Sequence, residues 1–214
     1  MNKFVLLLCA IFLFSCKEIA DGNDLYFENP QPINDSELKE IPNKFLGLYK
    51  DADSVFLKIE KKMITKYQFD KFRIHKVELD SMKNEYELKD GELIDKKTRI
   101  AFTIKKIGDS IELANKNLDT VFQFSSNKKA KSINGDLILN FKNDNYWQVN
   151  ILSSEKKTLK FKYLSTDDLK FIDSIMSIKS IMIDSTNYLL KPSRKEFKKF
   201  LRSKLSTEIL YKKI

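Results

Sequence analysis

From Phe45 to Leu164 the apolar residues of this chain recur at alternate positions, which restricts most of it to strands with one face turned inward. Val55, Leu57 and Ile59 alternate with Phe56, Lys58 and Glu60, and Ile100, Phe102 and Ile104 alternate with Ala101, Thr103 and Lys105. The pattern returns in Leu137, Leu139 and Phe141, in Trp147, Val149 and Ile151, and in Leu159, Phe161 and Tyr163. Between the runs stand turn-forming pairs: Asp90-Gly91, Gly108-Asp109, Asn134-Gly135 and Asn143-Asp144. Strands joined by short turns predict an antiparallel meander, either closed like a barrel or left as an open sheet. Residues 70–83 read both ways. Phe72, Ile74, Val77 and Leu79 suit a strand, whereas Asp80–Glu85 suit a helical turn.

The spacing changes after Ser165. Thr166 is placed as a helix N-cap, Asp167 and Asp168 suit the positive end of the helix dipole, and Leu169, Ile172 and Ile175 or Met176 share one face. Residues 187–191 read as a short strand ending before Pro192. Ser193 and Glu196 have the spacing of a capping box, and Phe197, Phe200 and Leu201 then form the apolar face of a helix reaching about Lys204. Glu208–Lys213 returns to strand. The expected fold class is α+β: a β-rich meander over residues 45–164, then an α/β extension over residues 165–214 with two helices and short strands, either packed on the meander or forming a small second domain.

The N-terminal segment sets where such a fold would reside. Lys3 supplies a positive charge, Phe4–Phe14 is continuously apolar, and Leu13-Phe14-Ser15-Cys16 resembles a lipobox, so Met1–Ser15 reads as a bacterial lipoprotein signal peptide. The apolar run is about half of the roughly 20 residues that a membrane-spanning helix needs. The resemblance implies cleavage before Cys16, with a diacylglyceryl thioether on its sulfur and an acylated amine. Stable anchoring takes two membrane signals, each acyl chain contributing roughly 0.8 kcal/mol per buried CH₂, and three chains exceed that requirement. Residues 17–44 lack periodicity and contain Pro30, Pro32 and Pro42, which predicts a tether whose last residues, near Ile41, begin to touch the core.

Cysteine and histidine counts narrow the chemistry. Of two cysteines, Cys9 would leave with the signal peptide and Cys16 would carry lipid, so no thiol is left for a disulfide, a zinc–thiolate site or a nucleophile. His75 is the only histidine, which disfavours a Ser–His–Asp triad and any multi-histidine metal site. As a catalyst it would need an orienting carboxylate, and Asp70 and Asp80 are the neighbours in sequence. Asp51-Ala52-Asp53-Ser54 invites a calcium reading, but an EF-hand loop needs an oxygen ligand, a glycine and a glutamate where Val55, Phe56 and Lys62 stand. No phosphate-cradling glycine loop, dinucleotide fingerprint or nucleophile elbow is present, so no cofactor or metal is expected. Tyr146-Trp147 is the densest aromatic pair; Trp147 shares its face with Val149 and Ile151, so core packing is preferred over a sugar-stacking platform.

Charge is unevenly placed. The chain carries 39 Lys+Arg against 30 Asp+Glu, yet residues 191–214 hold nine basic side chains against Glu196 and Glu208 alone. On the predicted helix, Lys195, Lys198, Lys199 and Arg202 lie opposite Phe197, Phe200 and Leu201. Such a face is either a solvated surface or a contact for phosphates of anionic lipid or lipopolysaccharide, or for an acidic protein. Nucleic acid is not an expected partner of an exported, membrane-tethered chain.

Several segments together resemble a family of uncharacterised small lipoproteins from flavobacteria and related Bacteroidota. They are Phe27-Glu28-Asn29-Pro30-Gln31-Pro32, Ile41-Pro42 through Gly47-Leu48-Tyr49, Asp90-Gly91-Glu92-Leu93-Ile94-Asp95, Tyr146-Trp147-Gln148-Val149 and Pro192-Ser193-Arg194-Lys195-Glu196-Phe197. The resemblance implies a bacterial envelope location and carries no known activity. Lys17-Glu18 partly resembles the signal that sends some such lipoproteins to the cell surface, although Ile19 and Ala20 do not continue it. The expected role is a non-enzymatic binding or structural module. A lipocalin-like carrier would instead close the meander around an apolar cavity, and a carboxylate-dependent hydrolase would need two close carboxyls with one pKa raised.

Overall fold

Leu25 begins a strand rather than a tether. A computed structural model describes residues 25–203 and 207–214; the lipobox with Cys16 lies outside the described residues. Leu25–Phe27 forms β1, which pairs in parallel with β14 (Tyr188–Leu190) on one side and antiparallel with β11 (Tyr146–Glu155) on the other. Leu25 and Phe27 are buried, and so, further along, are Gln31, Ile41 and Phe45. The expectation of a tether through residue 44 is therefore corrected from Leu25 onward. Its partner β14 lies some 160 residues away, so no local pattern marks β1 as a strand.

The chain divides into two contact-dense units. Among the described residues, the first gathers 25–38, 126–153, 161–203 and 207–208; the second gathers Lys39–Ser125, Ser154–Lys160 and Ile209–Ile214. This differs from a division at residue 164, because the strands between 126 and 153 group with the C-terminal helices.

In the first unit the strands run in the order β13 (Ile181–Met182), β14, β1, β11, β10 (Asp136–Asn143), β9 (Lys128–Ile133), all antiparallel except β1 with β14. The hairpin between β9 and β10 turns on Asn134 and Gly135, both at positive φ, as a two-residue turn between twisted strands requires. Its core is one cluster: Leu25, Phe27, Ile138, Trp147, Val149 and Ile151 from the strands meet Ile172 of α2 (Leu169–Ile175) and Phe197, Phe200 and Leu201 of α3 (Arg194–Arg202). Ser165 opens a short 3-10 turn through Asp168 that leads into α2, one residue earlier than the expected cap at Thr166.

In the second unit the order is β15 (Thr207–Lys213), β2 (Gly47–Lys50), β3 (Phe56–Ile59), β4 (Met63–His75), β8 (Ser110–Gln123), β7 (Ala101–Ile107), β6 (Glu92–Asp95), β5 (Tyr86–Lys89). Every pairing is antiparallel, and β12 (Thr158–Tyr163) has residues in each of the two units. The long β4–β8 ladder carries a register shift at Ile64/Thr65. Residues 70–83 resolve at His75, where strand passes directly into α1 (Lys76–Ser81). At that end of the ladder Leu93, Ile111 and Leu113 form a small buried cluster under Ile74, Leu79 and Phe102.

The fold is thus α+β, with an antiparallel-rich sheet that stays open and helices concentrated towards the C-terminus. No helix among the described residues is long and apolar enough to cross a membrane.

Candidate functional site

Helix α3 is fixed at its start by the expected capping box. The Ser193 hydroxyl accepts from the Glu196 N–H, and the Ser193 N–H donates to Glu196 Oε2 at 2.8 Å. The other carboxylate oxygen, Oε1, accepts from both the N–H and the hydroxyl of Ser177, each at 2.6 Å. Glu196 is consequently buried and ionised. The Ser177 and then the Ser193 hydroxyl hold its pKa down to about 2, against a smaller opposing effect of burial.

Below this cap the apolar face does the anchoring. Phe197 meets the Phe27 ring edge-on at 5.9 Å and packs against Phe200 at 5.7 Å, and both phenylalanines are fully buried. With about 100° between successive residues, Lys195, Lys198, Lys199 and Arg202 then fall within an arc of about 100° centred opposite that face. Lys195, Lys199 and Arg202 are exposed and Lys198 is half-buried. None of the four has an ion-pair or hydrogen-bond partner among the described residues.

The two remaining cations at the start of this segment are engaged. Arg194 holds Asp35 through Nε and Nη2 at 2.6 and 2.9 Å, and Lys191 holds Glu28 at 2.8 Å. Arg194 and Lys191 therefore clip the chain that follows β1, while the four cations on the outer arc stay available. Sequence separation of about 160 residues hides these clips, and nothing in the spacing of Glu28 or Asp35 reveals them.

The other candidates are placed as follows. His75 is exposed and caps α1, its Nδ1 accepting from the Val77 N–H at 3.4 Å. Asp70 accepts from Gln68, and Asp80 pairs with Lys83 at 2.8 Å, so neither orients the imidazole. Asp51 closes a turn by accepting from the Val55 N–H at 2.8 Å. Trp147 is buried in the first unit's core, as its spacing predicts.

Carboxylates whose titration the structure moves all move down. Asp95 is lowered chiefly by the Thr98 N–H, Asp184 chiefly by the Thr186 N–H, and Glu196 as described. A general acid needs the opposite shift.

No family model, curated protein or solved structure matches the chain.

Proposed function

We propose that the chain is a lipoprotein of the bacterial cell envelope, held at the outer membrane through Cys16, that works by binding and not by catalysis. In this reading α3 presents its cationic arc to phosphates, whether on anionic lipid headgroups or on lipopolysaccharide. The observation that carries the binding role is the set of four unpaired cations, Lys195, Lys198, Lys199 and Arg202, on a helix whose opposite face is locked into the core. A cationic arc needed only for solubility has no such requirement to stay free of the abundant carboxylates, whereas a phosphate contact does. The lipobox-like Leu13–Cys16 segment and the resemblance to Bacteroidota lipoproteins support the anchor. Tethering raises the local concentration, so a patch that is weak in solution suffices at the membrane.

An open sheet does not provide the closed lumen of a lipocalin-like carrier. The downward shifts of Asp95, Asp184 and Glu196 likewise give no support to a hydrolase.

Metabolic labelling with an alkynyl fatty acid tests the anchor. Label is expected on the wild-type chain and not on Cys16→Ala, which should accumulate unprocessed or leave the membrane fraction. An unlabelled wild type would rule out the anchor.

A further inference from the structure

We propose that a cleft between Tyr26 and Tyr146, in the first unit, binds a neutral saccharide. Because Phe27 pairs directly with Trp147 and both side chains enter the core, the strand alternation turns Tyr26 and Tyr146 to the opposite face. Their rings lie 6.4 Å apart at 59°. Around them the hairpin Asn143–Tyr146 and the loop from Ile183 to Asn187 enclose a cleft of about 340 Å³. That is at the lower end for small-molecule sites and about the size of a disaccharide.

The walls are held in place before any ligand arrives. Asn143 Nδ2 donates to Tyr26 Oη at 3.3 Å. Asp184 accepts from the Thr186 and Asn187 N–H groups, both at 2.9 Å, from the Thr186 hydroxyl at 3.3 Å and from Asn187 Nδ2 at 2.7 Å. Its carboxylate is satisfied without a cation, and its titration is lowered accordingly.

What remains unpaired in the cleft defines the ligand. Tyr146 Oη and the Asn145 amide can donate and accept, and the Asp144 carboxylate accepts; none of the three side chains has a hydrogen-bond partner among the described residues. The tilted tyrosines offer ring faces to the C–H face of a pyranose, and the amide and carboxylate groups suit its hydroxyls. An apolar ligand would leave those polar groups unmatched. No lysine or arginine lines the cleft, and Asp144 and Asp184 repel anions, so a phosphorylated or acidic ligand is disfavoured. The site is therefore chemically complementary to the α3 arc. It does not depend on lipidation or on the α3 reading.

Saturation-transfer NMR on the processed full chain, with cellobiose, maltose and N,N′-diacetylchitobiose as probes, tests the assignment. Transfer to the ring C–H protons of at least one probe is expected, with weak affinity because the cleft is open. Tyr146→Ala should weaken that binding about tenfold, and Tyr146→Phe, which keeps the ring, only a few-fold. Glucose 6-phosphate should not compete. Unchanged thermal unfolding of Tyr146→Phe checks that the wall is intact. Silence from all three probes, undiminished binding by Tyr146→Ala, or equal competition by the sugar phosphate would each overturn the proposal.

Discussion

Glu196 and Ser177 are joined twice: the carboxylate Oε1 accepts from the serine N–H and from its hydroxyl, each at 2.6 Å. This fastens the first turn of α3 to the segment that leaves α2, and it does so with a buried, ionised group. The consequence is a pH dependence. The folded-state pKa is about 2 against an ordinary 4.5, so the unfolded chain binds the proton more readily. The stabilisation is present in full above about pH 4.5 and is lost as pH falls towards 2. Wild-type stability should therefore drop through that window. In Glu196→Gln, which cannot accept at both heads, this contribution to the drop should be absent, with about 1–3 kcal/mol already lost at neutral pH. Thermal unfolding at several pH values measures both.

Asn140 should be the most costly single polar position in the first unit. Fully buried on β10, it accepts from the Gln31 N–H at 2.6 Å and donates to the Gln31 carbonyl at 2.9 Å. It thereby pairs the chain after β1 as a neighbouring strand would. Asn140→Ala strands both backbone groups in the interior and should cost about 2–4 kcal/mol in urea unfolding. Lys131 holds the same segment from β9, donating to the Pro30 and Pro32 carbonyls at 3.1 and 2.9 Å. A double-mutant cycle of Asn140→Ala with Lys131→Met should show coupling, because the two share one target segment. Strict additivity would mean that residues 29–32 are held elsewhere.

Far-ultraviolet circular dichroism should report strand well above helix, in line with 52% strand and 17% helix among the described residues. Unfolding should be indifferent to reductant, since the only cysteines are Cys9 and Cys16. A soluble form made for this measurement has to retain Leu25–Phe27, because β1 lies inside the sheet.

How much of this was legible depended on whether a signal was local. Asp90-Gly91 and Asn134-Gly135 mark their hairpins because both residues of each pair adopt positive φ, which asparagine, aspartate and glycine tolerate best. At Asn143-Asp144 the turn is displaced by one residue: β10 runs through Asn143, and Asp144 takes the positive φ. The turn after β11 uses Lys156 at φ 54°, a residue that advertises nothing. The polar middle of β8, Asn115-Lys116-Asn117, has no apolar alternation; its pairing with β4 makes it strand. The α3 cap and both of its faces were readable, since all their determinants fall within ten residues. The Tyr26–Tyr146 cleft was not. Tyr146-Trp147 stood out as an aromatic pair, but only the register with β1 separates the buried tryptophan from the tyrosine on the other face and brings Tyr26 beside it.

The cationic arc of α3 makes the sharpest functional prediction. A signal-less chain starting at Lys17 should bind vesicles containing anionic phospholipid, or lipopolysaccharide, weakly at low salt. It should lose much of that binding near 0.15 M, where the Debye length is about 8 Å. Reversing Lys195, Lys198, Lys199 and Arg202 to Glu should abolish binding. The fold should survive, because none of the four lies on the Phe197–Phe200–Leu201 face and none gives up an ion pair. The Arg194–Asp35 and Lys191–Glu28 pairs give the internal control: exchanging the partners, Arg194→Asp with Asp35→Arg and Lys191→Glu with Glu28→Lys, should leave vesicle binding nearly unchanged, because each pair stays neutral. Flotation through a sucrose gradient reads all three proteins side by side. If the four-fold reversal floats with the wild type, or the control exchange loses as much binding, the arc is a solvated surface and not a phosphate contact.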